Sequence, residues 1–286
     1  MSAVPRSLFA GLVDDAALFP PGNPPMDVGL REHARHHGAS YGEIVGPFLC
    51  PVSRADEMVA MLPEDQRLEL SLVVDLTGEA AHAALRTVAG DPRLRLAAVE
   101  ASAERLGDDV ATVGANLHRL PRVVGFLEVP RKGFGAALDY VCPTGWHAAK
   151  YRTGGAHAED VPDAHELAGF LTECVRRGLP FKLTAGLHHA ISAGPGDDSP
   201  RRHGVLNVLA AVAAAQAGAS SSDVSDVLVT SAPHALAAAV SGWSDDRCRQ
   251  VRASFRSFGC CGVTDPIDEL TELGLVGLAT TEESRA

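Results

Sequence analysis

Two segments in the second half of the chain each place a lysine inside an apolar run that is typical of a β-strand. Lys150 lies in segment 146–155, Lys182 lies in segment 180–189, and a glycine follows each lysine four residues later. The separation of the two lysines is about one βα unit, which predicts that they lie on neighbouring parallel strands. Because burying an unpaired ammonium group costs several kcal/mol, we interpret these lysines as functional groups.

The chemistry that suits such a pair is the formation of a Schiff base. Strand alternation places Lys150 and Arg152 on one face of their strand, and Lys182 and His188 on one face of the next. A cationic neighbour and partial desolvation both lower the pKa of a lysine and free its amine to attack a carbonyl group. The pattern therefore indicates a covalent carbonyl enzyme, in which His188 is a further candidate for acid/base chemistry near neutral pH.

Glu128 is the carboxylate that we expect beside the lysines. It ends the apolar run 123–129 and lies next to Lys150 if the two strands are adjacent. We predict that it is the acid/base group or the partner of a lysine, and that Arg152 binds a substrate carboxylate or phosphate. The alternative is structural: Arg152 forms a salt bridge to Glu128, and each lysine pairs with Glu128 or Glu100 to stabilise the core.

Eight short apolar runs alternate with amphipathic helix patterns along the chain. The predicted strands are 12–19, 43–50, 68–76, 94–101, 122–129, 147–152, 181–187 and 255–260. The predicted helices are 26–37, 54–62, 79–88, 106–120, 135–140, 163–177, 205–217 and 266–273, with a long loop at 192–203 and an extra helix within 220–234. This order predicts the α/β class and a (β/α)8 barrel of the TIM type, built as a single domain over residues 1–286.

In a barrel of this kind the functional groups gather at the carboxyl ends of the strands. Many polar residues stand at the ends of the predicted strands: Asp14, Asp15, Cys50, Asp75, Glu100, Glu128, Arg152, His188 and His189. Of the adjacent acids Asp14 and Asp15, one is expected in the pocket and the other at a turn. Position in the sequence does not distinguish them.

Three motifs in this half of the chain resemble a known enzyme family. Lys150-Tyr-Arg-Thr-Gly-Gly, Lys182-Leu-Thr-Ala-Gly and Phe255-Arg-Ser-Phe-Gly-Cys-Cys-Gly look like the last three strands of class I aldolases of the deoxyribose-phosphate aldolase type. The resemblance covers about a third of the chain. It implies that Lys150 forms the Schiff base, that Lys182 lowers the pKa of Lys150, and that glycine-rich loops after strands seven and eight contact a phosphate.

The chain departs from this family at two places. The segment after Lys182 continues into His188-His189 rather than into a simple glycine turn. The family carries an aspartate on strand four, for which the chain offers a counterpart only if Glu100 or Glu128 serves. These departures leave the substrate and the reaction open.

Glycines and small polar groups complete the predicted substrate site. The predicted substrate-binding residues are Arg152, Gly154, Gly155, Gly186, His189, Asn207 and Gly259. Asn207 stands near the start of its helix, where it either reaches the pocket or caps the helix. Cys260 and Cys261 either allow close approach of the backbone or supply a nucleophile, and all cysteines are expected as reduced thiols.

His188 and His189 suggest an alternative mechanism. Adjacent residues on an extended strand point to opposite sides, so both can bind one ion only across a turn. No residue is assigned as a metal ligand, and the predicted enzyme needs no cofactor; a divalent metal ion bound with acidic strand ends is the alternative. In a third interpretation one histidine caps the loop and the other packs in the core.

Composition limits the partners that we expect. The formal charge of −11 and a pI near 5.5 argue against binding to a nucleic-acid backbone. The sequence shows neither a secretory leader nor an apolar helix long enough for a membrane, so we expect a cytoplasmic protein. The apolar helix at 205–215 is explained either by burial or by a homo-oligomer interface.

Together these patterns predict an enzyme of small-molecule metabolism. We expect a lyase of the aldolase type that acts on a small carbonyl compound through Lys150, with Lys182, Glu128 and Arg152 in support. The alternatives are a metal-dependent lyase or hydrolase that uses His188, His189 and acidic strand ends, and a non-catalytic barrel that binds a small molecule.

Overall fold

A closed barrel of eight parallel strands forms the centre of the molecule. The computed structural model describes residues 5–119, 123–141, 147–155, 157–195 and 201–276. The strands are β1 (Val13–Asp15), β2 (Val45–Pro51), β3 (Leu68–Val73), β4 (Leu94–Ser102), β5 (Val124–Glu128), β6 (His147–Arg152), β7 (Phe181–Thr184) and β8 (Phe255–Cys260). Each strand pairs with the next one in the sequence, and β8 pairs with β1 to close the barrel. The predicted TIM-type (β/α)8 fold is confirmed.

Helices alternate with the strands. They are α1 (Met26–Gly38), α2 (Ala55–Met61), α3 (Gly78–Gly90), α4 (Ala103–Leu106), α5 (Val110–Leu117), α6 (Phe134–Leu138), α7 (Ala164–Arg177), α8 (Val205–Gln216), α9 (Ser221–Val229), α10 (Pro233–Ser241), α11 (Asp245–Ser254) and α12 (Thr264–Glu272). Helix α7 shows how local residues determine where a helix begins and ends. Asp163 caps its first turn by accepting from the Glu166 N–H, and Gly178 ends it in a left-handed conformation.

Several predicted boundaries are wrong for local reasons. Strand β7 ends at Thr184 rather than at 187, because Ala185 and Gly186 both adopt positive φ angles (56° and 83°) that no strand accommodates. The predicted helix 106–120 is instead the pair α4 and α5, which Gly107 separates by its left-handed conformation. Residue 120 of that prediction, residue 122 of the predicted fifth strand and residues 196–200 of the predicted loop lie outside the described residues, as does Cys142.

The apolar helix α8 is buried inside the molecule. Nine of its twelve residues are buried, and it packs against α7, α9, α10 and α11. The region predicted to hold one extra helix contains α9 and the start of α10, and α11 follows before β8. No single helix in the described ranges is long and apolar enough to cross a membrane; α9 and α10 meet that test only as a pair bent by 118°.

The strand register brings the predicted site residues to one level of the barrel. Lys150 on β6 is directly opposite Lys182 on β7, and Glu128 on β5 is directly opposite Lys150. Lys182 is in turn opposite Ser257 on β8. Four successive strands therefore present polar side chains at the same height, close to their carboxyl ends.

Candidate active site

Lys182 is a fully buried cation at the centre of the barrel. Its Nζ donates hydrogen bonds to Asp14 Oδ2 at 2.5 Å and to Glu100 Oε1 at 2.6 Å, and it lies 5.1 Å from the centre of the Phe126 ring. Burial alone would lower the pKa of Lys182, but the two carboxylates outweigh burial and raise it. Lys182 is therefore a permanent ammonium group that is held in place from two sides.

Glu100 joins the two lysines. Its Oε1 accepts hydrogen bonds from Lys182 and, at 2.8 Å, from the Ser71 hydroxyl, while its Oε2 lies 2.9 Å from Lys150 Nζ. Glu100 is fully buried, which by itself would raise its pKa, yet the two ammonium groups lower the pKa to about 2. The carboxylate is thus ionised at any pH at which the protein is expected to work.

Lys150 is held less firmly than Lys182. Its Nζ lies 2.9 Å from Glu100 Oε2 and 3.1 Å from Glu128 Oε2. Both distances are longer than the two that Lys182 makes, 2.5 Å to Asp14 and 2.6 Å to Glu100. Lys150 also lines the large cavity above the barrel, whereas Lys182 is buried behind it. Of the two amines, Lys150 is the one that a ligand in this cavity can reach.

Glu128 and Arg152 continue the row of charges toward the cavity. Glu128 Oε1 accepts a hydrogen bond from Arg152 Nε at 3.2 Å, and its Oε2 faces Lys150. Burial would raise the pKa of Glu128, but Lys150 and Arg152 lower it. The salt bridge that the sequence offered as the structural role of Arg152 is thus present, and Arg152 also lines the cavity.

The adjacent acids Asp14 and Asp15 have different roles. Asp14 Oδ2 accepts hydrogen bonds from Lys182 and, at 2.7 Å, from the Ser257 hydroxyl; burial raises the pKa of Asp14 against the effect of Lys182. Asp15 instead lies 2.9 Å from Nδ1 of the buried His33 and accepts from the Ala17 N–H at 3.0 Å. Asp14 belongs to the site, and Asp15 attaches α1 to the end of β1.

A cavity of about 790 Å³ opens above this charged layer, at the carboxyl ends of the strands. Four arginines line it: Arg105, Arg152, Arg201 and Arg202. The described residues of its lining include no aspartate or glutamate. The cavity is therefore cationic, although the whole chain is acidic, and it suits a small anionic ligand.

Comparisons with known proteins do not identify this site. No protein-family model, no curated protein and no solved structure matches the chain. A barrel of this kind hosts many activities, so the fold by itself does not identify the reaction.

The predicted glycines form part of the cavity wall. Gly154, Gly155, Gly186 and Gly259 all line it. Gly154 and Gly186 let the segments after β6 and β7 pack backbone against backbone: a Cβ on Gly186 would lie 2.5 Å from the Thr153 carbonyl oxygen, and one on Gly154 would lie 2.8 Å from the Gly186 Cα. This close approach fixes the wall beside Lys150.

His188 and His189 also line the cavity, but their partners differ. Nδ1 of His188 lies 3.3 Å from Asp265 Oδ2, whereas Nδ1 of His189 lies 2.6 Å from Glu269 Oε1. No group of three or more potential metal ligands occurs among the residues that the structure describes. The pair therefore does not build the metal site that the alternative mechanism requires within that part of the chain.

Asn207, which was expected either to reach the pocket or to cap its helix, lies away from the described lining of the cavity. Its carboxamide is fully buried, accepts from the Ser192 N–H at 2.8 Å, and donates to the carbonyl oxygens of Val227 at 3.0 Å and Thr230 at 2.8 Å. The amide instead joins α8 to the loop before it and to the end of α9.

Two further polar residues at strand ends also lie outside the described lining of the cavity. Cys50 is buried and donates to the Pro51 carbonyl oxygen at 3.4 Å, and Asp75 accepts from the Ser53 N–H at 2.9 Å. Both groups form hydrogen bonds with the backbone near the ends of β2 and β3. The five cysteines that the structure describes are all free, as expected.

Several groups of the site were missed in the sequence. Ser71 and Ser257 orient Glu100 and Asp14 through their hydroxyls, and Arg105, Arg201 and Arg202 give the cavity its charge. A signal existed for two of them, because Arg201-Arg202 is a basic pair at the end of the polar loop 192–203. A lone serine inside an apolar strand carries no comparable signal.

Proposed function

We propose that this protein is a carbon–carbon lyase of the aldolase type, which acts on a small anionic carbonyl compound through a Schiff base at Lys150. The observation that carries the proposal is the contrast between the two lysines. Lys182 is enclosed as a cation by Asp14 and Glu100 and lies outside the described cavity lining, whereas Lys150 stands at the cavity wall beside Glu100 and Glu128. An enzyme of this type needs one reactive amine and fixed charges around it.

The carboxylates next to Lys150 supply the proton transfers. Although Lys150 and Arg152 lower the pKa of Glu128, its Oε2 lies 3.1 Å from Lys150 Nζ and takes the proton transiently, as the amine adds to the carbonyl carbon of the substrate. Loss of water leaves a protonated imine, whose positive charge faces the Glu100 carboxylate. The imine accepts the electron pair of the breaking carbon–carbon bond, and a carboxylate removes the proton of the hydroxyl group that becomes the new carbonyl.

Lys182 acts through Glu100. Both lysines contact the same carboxylate, so Glu100 stays paired with the fixed charge on Lys182 when Lys150 gives up its proton. Glu100 lies on β4, where the aldolases that the sequence resembles carry an aspartate, so it is the natural candidate for that role. This arrangement supports the proposed reaction type.

The arginines support an anionic substrate. Among the interactions described, Arg152 contacts Glu128 through Nε alone. Its two terminal nitrogens are therefore available to a ligand. A planar guanidinium group binds a carboxylate or phosphate through two parallel hydrogen bonds. A substrate anchored there holds its carbonyl group within the cavity that Lys150 lines.

Trapping with sodium borohydride tests the proposal. The protein is incubated with small aldehydes and ketones, with and without a carboxylate or phosphate group, then reduced and mapped by peptide mass spectrometry. The lysines of the sequence are Lys132, Lys150 and Lys182, so the exposed Lys132 offers a matched control. We expect a stable adduct on Lys150 that Lys150→Met abolishes and Lys132→Met does not, with faster labelling by anionic carbonyl compounds.

Two results would contradict this function. If no carbonyl compound labels Lys150 in protein that is folded by circular dichroism, the Schiff-base mechanism is wrong. If anionic carbonyl compounds bind tightly but leave no adduct, the barrel binds its ligand without reacting with it. Labelling of Lys132 and Lys150 at equal rates would show that Lys150 has no special reactivity.

A further inference from the structure

Cys261, His188 and Asp265 form a chain of polar contacts at the edge of the same cavity. Cys261 Sγ lies 3.7 Å from Nε2 of His188, and Nδ1 of His188 lies 3.3 Å from Oδ2 of Asp265. The three residues come from two parts of the chain: His188 follows β7, while Cys261 and Asp265 follow β8. The proposed lyase mechanism uses none of them.

The Cys261 thiol is accessible where the other described thiols are not. Cys50, Cys174, Cys248 and Cys260 are buried, whereas Cys261 is only partly buried and lines the cavity with His188. The neighbouring Cys260 donates to the Gly262 carbonyl oxygen at 3.1 Å and its Sγ lies 3.4 Å from Nδ1 of His188, but Cys260 is buried, and burial raises its pKa to about 12. Of this adjacent pair, Cys261 is therefore the group that a ligand can meet.

The order of the contacts is the one that activates a thiol. When Nδ1 of His188 carries the ring proton, it donates a hydrogen bond to Asp265, and Nε2 is then free to accept the proton of Cys261. The pKa of His188 is raised, first by Cys261 and further by Asp265, against the effect of burial. Gly262 makes room for this arrangement, since a Cβ there would lie 2.4 Å from Asp265 Oδ2.

We propose that Cys261 is a second nucleophile of the cavity, which adds reversibly to small aldehydes with His188 as its base and Asp265 as the residue that positions His188. The sulfur forms a bond to the carbonyl carbon, the carbon–oxygen π bond breaks, and the oxygen takes the proton that His188 removed from the thiol. The product is a neutral thiohemiacetal, and no oxidant or reductant is needed. This site does not depend on Lys150, so it goes beyond the proposed lyase function.

The rate of thiol alkylation tests the proposal directly. Iodoacetamide is added in excess at pH 7, and modification is followed by intact mass and located by peptide mapping. Among the thiols that the structure describes, we expect rapid modification at Cys261, which Cys261→Ser abolishes and the matched variant Cys260→Ser retains. His188→Gln should slow it about tenfold, since the thiolate and not the thiol reacts.

The pH profile separates positioning from packing. The groups that face His188 are the thiols of Cys260 and Cys261 and the Asp265 carboxylate, while Glu269 faces His189. Asp265→Asn should shift the midpoint of the alkylation profile, because it removes the charge beside His188. A merely structural role for Asp265 would leave that midpoint unchanged.

Aldehyde competition tests the chemistry itself. Propanal should slow alkylation of Cys261 reversibly on dilution, both in the wild type and in Lys150→Met. Protection that disappears in Lys150→Met would mean that the aldehyde reacts at Lys150 and merely blocks access, which would overturn the proposal. An unchanged alkylation rate in His188→Gln, with its urea midpoint retained, would overturn it as well. Borohydride trapping on Lys150 in Cys261→Ser reports separately on the lyase function.

Discussion

Replacing Glu100 by glutamine tests the electrostatic account of the site most directly. Glutamine keeps the shape of the side chain and removes the negative charge that Lys150 and Lys182 share. Removing one partner of a buried ion pair costs about 3–5 kcal/mol of folding free energy, because the remaining charge is left uncompensated. The lowered pKa gives a similar figure: a shift from 4.5 to about 2 corresponds to about 3 kcal/mol.

The pH dependence distinguishes this effect from a packing defect. The folded-state pKa of Glu100 lies below its unfolded value, so the unfolded chain binds more protons and the contribution of Glu100 is fully present above about pH 4.5. It is lost as the pH falls through the folded pKa near 2. The difference in unfolding free energy between wild type and Glu100→Gln should therefore shrink by about 2 kcal/mol between pH 7 and pH 3.

Urea unfolding at the two pH values measures this difference. With a slope of about 3 kcal/mol per M, a loss of 3–5 kcal/mol lowers the midpoint at pH 7 by about 1 to 1.7 M. The exposed Glu104 supplies the control, because Glu104→Gln should change the unfolding free energy by less than about 0.5 kcal/mol. If Glu100→Gln is as stable as wild type, or if its deficit is the same at pH 3 and pH 7, the reasoning about the shared carboxylate is refuted.

Two further variants separate the wall of the site from its chemistry. Asn207→Ala should cost about 1–3 kcal/mol in urea unfolding for each buried group left without a partner, while alkylation of Cys261 stays unchanged; a loss of ligand affinity without a loss of stability would contradict the structural role. Gly186→Ala should destabilise the fold and slow borohydride labelling, because its Cβ would lie 2.5 Å from the Thr153 carbonyl oxygen at a φ of 83°; labelling at the wild-type rate would show that the wall beside Lys150 tolerates the change.

The fold followed from the sequence because its signals are local. Eight apolar runs separated by helix patterns suffice to predict a parallel barrel, and the separation of about one βα unit predicted that Lys150 and Lys182 lie on neighbouring strands. The ends of elements were harder to predict. Strand β7 ends at Thr184 because Ala185 adopts a positive φ, a conformation that the sequence does not predict for an alanine.

The sequence predicted the members of the site better than their pairing: it offered Glu100 and Glu128 as partners of the lysines, but it did not identify which carboxylates contact Lys182. Glu128 and Lys150 are on adjacent strands, so strand order was enough to bring them together. The partners of Lys182 lie on β1 and β4, which are not hydrogen-bonded to β7. Contacts of that kind depend on the tilt and stagger of the closed barrel, which periodicity along one strand does not contain. For the same reason the sequence could not choose between Asp14 and Asp15.

The charged layer is difficult to explain by stability alone. Barrel interiors are usually filled by apolar side chains, and replacing a buried ion pair by apolar residues is often neutral or stabilising. Here three carboxylates alternate with three cations in one continuous row: Asp14, Lys182, Glu100, Lys150, Glu128 and Arg152.

The row is also directional. Its inner end, at Asp14 and Lys182, is buried and fixed by hydrogen bonds, while Lys150 and Arg152 at the other end line the cavity. Because the charges balance, a proton that leaves Lys150 for Glu128 moves within a neutral row and creates no net charge in the barrel. The Schiff-base reaction that we propose needs a proton acceptor beside the reactive amine, and this row offers one without a new net charge.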